Sequence, residues 1–119
     1  MDEFAPTQLV EHTQNGKISY SIILDPFGPI YLTTSSIFKA HGMEEPGGYA
    51  WHGVAEALVR LHAPEIASLV KYDPESSMFS AYGDDRAALL RVAQLIRQAQ
   101  DNPAILEEAL ENANPEMLD

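Results

Sequence analysis

Along the chain the spacing of apolar residues alternates between two periods. Gln8–His12 and Lys17–Leu24 flank Asn15-Gly16, a pair that tolerates positive φ and suits a tight hairpin turn. Ile18, Tyr20, Ile22 and Leu24 alternate with smaller polar residues, Ile23 excepted, so one face is buried and the other partly wet. Asp25-Pro26-Phe27-Gly28-Pro29 reads as a turn, because two prolines do not fit a central strand. Ile30–Thr33 then reads as a third strand, with a short apolar turn around Ile37 and Phe38.

A glycine-rich loop, His41–Tyr49, leads to helical spacing. Trp51, Val54, Ala55, Leu58, Leu61 and His62 fall on one face, and Glu56 and Arg60 make an i, i+4 pair on the other. Ala63-Pro64 stops that helix. Ser68–Tyr72 and Met78–Tyr82 read as antiparallel strands joined by the turn Asp73–Ser77. Gly83-Asp84 opens a helix with the stripe Leu89, Val92, Ala93, Ile96 and Ala99, the aspartate serving as its cap. Asn102-Pro103 restarts a last helix, whose face of Leu106, Ala109, Leu110 and Ala113 can bury itself internally or against a second copy. The order predicts an α+β fold, a mainly antiparallel sheet with helices packed on one face.

Composition narrows the function. At 119 residues and 45 % apolar content the chain is one domain, 1–119, with material for a core, and no linker or repeat divides it. The absence of cysteine excludes thiol catalysis, disulfides and cysteine-ligated zinc. No apolar stretch approaches the ~20 residues of a membrane span, and Met1-Asp2-Glu3-Phe4 lacks the features of a secretory signal, so a cytoplasmic location is expected.

Eighteen acids against seven bases give a net charge of −11. That field repels nucleic acid and accelerates the approach of a cationic partner. It also serves solubility alone. Residues 84–119 carry eight of the acids, and from Gln98 to Asp119 there is no Lys or Arg; residues 112–119 are expected to form a loose acidic tail.

Candidate chemistry is sparse. Of His12, His41, His52 and His62, only His52 shares a helix face with a carboxylate, Glu56; that is half a metal site, and His52 reads as solvent-facing. His62 reads as a packed neutral imidazole. Ser35, Ser36, Ser76 and Ser77 sit in expected turns without a nucleophile motif. Gly47-Gly48 has no Walker lysine and lies beside Glu44 and Glu45, so it reads as a tight turn before Trp51, not as a phosphate cradle. Asp73 and Glu75 are the closest approach to a catalytic carboxylate pair, although such residues ordinarily serve a turn. Trp51 reads as a buried ring, with an exposed interface anchor as the alternative. No cofactor or metal is called for, and the chain reads as a binding module.

Two segments carry a resemblance. Gly47-Gly48-Tyr49-Ala50-Trp51 leading into a helix, followed by Tyr72-Asp73-Pro74-Glu75-Ser76-Ser77-Met78-Phe79-Ser80-Ala81-Tyr82 and an acid-capped helix, resembles the Immunity protein 51 family over residues 17–111. The resemblance implies a non-enzymatic cytoplasmic antitoxin that binds the protein toxin of a bacterial polymorphic toxin system. It places Trp51, Asp73, Glu75 and Phe79 at signature positions, with Trp51 and Phe79 supporting the fold. A basic toxin cleft would be met by Glu44, Glu45, Tyr49, Asp73, Glu75 or the C-terminal helix, as monomer or homodimer, without nucleic acid or membrane. Two other readings are a small enzyme or ligand-binding domain using Asp73, Glu75 and His52, and an acidic mimic of nucleic acid. The first needs those three groups in one pocket; the second needs carboxylates spaced like phosphates.

Overall fold

The computed structural model describes residues 7–117; the readings made on Met1–Phe4 and Asp119 lie outside them. Strands β1 (Gln8–Gln14), β2 (Lys17–Leu24), β3 (Lys71–Tyr72) and β4 (Phe79–Gly83) form one antiparallel sheet in the order β1-β2-β4-β3. Helices α1 (Pro29–Ala40), α2 (Gly48–His62), α3 (Arg86–Asp101) and α4 (Pro103–Asn112) complete an α+β fold. None of these helices is long and apolar enough to cross a membrane.

The strand period decides which face is covered. Ile22 and Leu24 of β2 are buried together with Phe79 and Ala81 of β4, which sit opposite them in register. Helices α2 and α3 pack on this face, α4 lies across both, and α1 rests against α3 and α4. The alternation fades toward the hairpin tip: Tyr20 is half-buried and Ile18 is 49 % exposed.

The segment read as a third strand is helical. Pro29 takes the first helical position, where its missing N–H costs nothing. Ile30, Thr34 and Phe38 recur at i, i+4, i+8 and are buried, and the Thr34 hydroxyl donates to the Ile30 carbonyl at 2.6 Å. Burial of that stripe outweighs the β preference of the branched residues. Gly42, at φ 89, ends α1 in a Schellman motif, with the Met43 N–H donating to the Phe38 carbonyl at 3.0 Å. Ser35 and Ser36 therefore lie on a helix, not in a turn.

Helix α2 starts three residues before Trp51 and is buried more widely than one stripe, Ala57 and Val59 included, because sheet and helices enclose it. Leu61 and His62 turn outward; the His62 Nε2 lies 2.8 Å from Glu108, so the ring is exposed beside a carboxylate and is not packed as expected. Residues 64–69 form a 3-10 turn, leaving two residues of the expected strand 68–72. The cap of α3 is Asp85, whose Oδ1 accepts from the Ala88 N–H at 3.0 Å, one residue beyond the expected Asp84. Leu106, Ala109 and Leu110 of α4 are buried within the chain itself. Where a loose tail was expected from residue 112, Ala113 packs on the core and Pro115–Met117 forms a 3-10 turn against α2.

Candidate functional site

The N-terminus of α2 meets the turn between β3 and β4 unusually closely. Glu75 and Met78 close that turn by exchanging backbone hydrogen bonds, and the Gly48 N–H donates to the Ser76 carbonyl at 3.2 Å. A Cβ on Gly48 would strike the carbonyl oxygens of Glu75 and Met78, and one on Gly47 that of Ser76. The glycines thus serve close approach of two backbones; their φ values are not the reason.

This junction seats an open recess of about 480 Å³, walled by Phe27, Met43, Glu44, Glu45, Tyr49 and the Ser76-Ser77 backbone turn. Phe27 and Tyr49 expose 46 % and 39 % of their surface there. Behind Glu44 and Glu45 a second hollow of about 480 Å³ is bounded by Tyr31 and Lys39. Phe27 tilts against Tyr31 with centroids 5.8 Å apart, and the Lys39 ammonium stands 5.8 Å from the Tyr31 ring. On the other side Ser77 opens into a groove of about 350 Å³ lined by Gln8, Ile23, Asp25 and Met78. Carboxylates, exposed aromatic rings and backbone carbonyls share one end of the molecule, which suits a cationic and partly apolar partner surface.

Glu44, Glu45 and Tyr49, predicted from sequence, line the recess together. Asp73 and Glu75 are exposed on the adjoining turn and line neither hollow. Sequence reasoning missed Phe27, Tyr31 and Met43. The clue to Phe27 was an aromatic between two prolines, in a turn too short to bury it. Trp51 and Phe79 are wholly buried; Trp51 meets Phe38 edge-on at 5.2 Å.

His52 is half-buried and lies against Tyr72, centroids 4.9 Å apart, so it is not a solvent-facing histidine. Burial lowers its pKa, with nearby Glu56 opposing that shift. Burial pushes the Tyr72 phenol up to about 12, helped by Glu56. In both rings burial disfavours the charged form. No hydrogen bond joins His52, Asp73 and Glu75, and none of the three lines the recesses above, so the convergence an enzyme would need is not found among the described residues. Glu56 instead holds Arg60, at 2.9 Å, and among the described residues no His/Asp/Glu group could hold a metal ion.

A pH dependence follows from His52. Its folded pKa lies below its unfolded value of 6.5, so below that pH the unfolded chain binds more protons. Stability is therefore whole above pH 6.5 and falls as the pH drops through the interval beneath it. In urea titrations at pH 7 and 5.5, His52→Gln should lose less stability on acidification than the parent protein. An equal loss in both would remove His52 from the account.

Comparison with known proteins places the chain. The family model described as Immunity protein 51 matches residues 8–115, so it takes in every strand and helix named above. No curated protein and no solved structure matches.

Proposed function

Because the chain belongs to the Immunity protein 51 family, and is in that general sense an immunity protein, we propose that it neutralises one cognate bacterial toxin by stoichiometric occlusion. The recess at the start of α2 is the contact surface. The observation that carries this reading is the gathering of Glu44, Glu45 and Tyr49 with Phe27 around one recess, on a chain of net charge −11. A toxin that acts on nucleic acids or nucleotides needs a basic cleft. An acidic recess with aromatic walls complements such a cleft in charge, and offers its Lys or Arg side chains a ring face as well as a carboxylate. An interface of ordinary size covers ~800 Å² per partner, more than the recess alone, so the exposed turn with Asp73 and Glu75 falls within its reach. The protein acts in the cytoplasm of the producing cell, with no turnover of its own and no contact with nucleic acid or membrane.

The test uses the toxic C-terminal domain encoded by the reading frame beside this gene. The two chains should copurify one to one. Association should slow as salt is raised, since long-range attraction between unlike charges is screened over about 10 Å at 0.1 M. Reversing both carboxylates, Glu44→Lys with Glu45→Lys, should lower the association rate about tenfold at low salt and remove most of its salt dependence. Unchanged kinetics would exclude this loop from the interface.

A further inference from the structure

Among the described residues strand β1 is the outer strand of the sheet and is paired along all seven of its residues on one side only. The opposite edge strand, β3, has two residues. Asn15 and Gly16 both take positive φ, 54° and 77°, the type I′ turn of a two-residue hairpin, so the flanking pair Gln14 and Lys17 exchanges both backbone bonds. Counting back by twos, His12, Val10 and Gln8 bond inward to β2. Thr13, Glu11 and Leu9 turn their N–H and C=O groups outward, and among the described residues those groups meet no partner.

Folded proteins guard such an edge with proline, inward lysine, a bulge or a covering element. Gln8–Gln14 has no proline, no lysine and an unbroken register, and beyond Val10 it is exposed. Its single charge is Glu11.

We infer that β1 is a strand-addition site, taking an extended segment of the toxin that places a Lys or Arg opposite Glu11. This rests on the immunity reading and adds a mode of recognition to it. Charge selects the occupant. A second copy paired about a two-fold axis at full overlap would set Glu11 against Glu11, and two bodies of net charge −11 repel. A basic segment gains on both counts. The position also fits: Ser77 lines both the recess and the neighbouring groove, and that groove ends at Gln8, where β1 begins. A chain seated at the acidic end thus has a continuous path to the open edge.

Hydrogen–deuterium exchange of the full chain, with and without the toxin domain, tests this directly. The Leu9, Glu11 and Thr13 amides should exchange fast in the free protein and become protected in the complex. Thr13→Pro removes one outward N–H without touching the ladder to β2, a change tolerated on an edge. It should weaken binding about tenfold, while Thr13→Ala binds like the parent. A complex that forms and neutralises without protecting those amides, or that tolerates Thr13→Pro, overturns strand addition and leaves the immunity reading standing. Protection that rises with protein concentration in the absence of toxin would assign the edge to a second copy and overturn it too. If no complex forms at all, both readings fall.

Discussion

Gly48→Ala is expected to destabilise the protein by about 3 kcal/mol and lower its melting temperature by about 10 °C. A first helical turn ordinarily gains by about 1 kcal/mol when glycine becomes alanine. Here the new methyl group would enter the space of the Glu75 and Met78 carbonyl oxygens. Those two residues bond each other across the turn and belong to backbone, not to a flexible side chain, so neither can step aside without opening the turn. The clash exceeds the propensity gain, and the sign is set by it. Calorimetry of the variant measures the effect; a melting temperature equal to or above the parent's would show that α2 and the turn can separate freely. With the recess as the proposed contact surface, the same variant should bind the toxin more weakly, because moving α2 away from residues 75–78 alters its walls.

Trp51→Ala is expected to cost about 4 kcal/mol, a large part of the 5–15 kcal/mol that a domain of this size holds in reserve. The ring has no exposed surface, meets Phe38 edge-on and fills the space between α1 and α2. Truncation leaves a cavity that surrounding residues, themselves wholly buried, cannot collapse to fill. Urea unfolding followed by circular dichroism gives the number, since the chain's one tryptophan is lost as a fluorescent probe. The variant also separates the two roles considered for this residue. At a temperature where it remains folded, affinity for the toxin should stay within about threefold of the parent, as an energetically neutral position does. A loss of binding at unchanged stability would make Trp51 an anchor after all.

Elements that announce themselves by local chemistry were legible in the sequence. Asn15-Gly16 dictates its hairpin, Asn102-Pro103 caps and starts α4, and the stripe from Leu89 to Ala99 defines the buried face of α3. Elements decided by distant packing were not. Ile30–Thr33 has strand-like residues and became helix because Ile30, Thr34 and Phe38 are buried together, and that pattern shows only over nine residues. His52 looked free because its partner Tyr72 lies 20 positions away in sequence and comes to it only through the fold.

The site divides along the same line. Glu44, Glu45 and Tyr49, which wall the recess together, could be grouped from sequence because they fall in one acidic, glycine-bounded segment. Phe27 and Tyr31 arrive from another segment, and a single stretch of sequence cannot report who its neighbours are. The role of Gly47-Gly48 was likewise misplaced: glycine is demanded there by what approaches from residues 75–78, which no local rule registers.

The recess is walled by Phe27, by the 42–47 loop and by Ser76-Ser77, which meet at the first turn of α2, an enclosed helix that adds Tyr49. Most of its walls thus belong to loops, while the buried side chains of α2 and the sheet beneath hold the architecture. Such a division lets the exposed walls accept substitution without disturbing the buried scaffold that carries them.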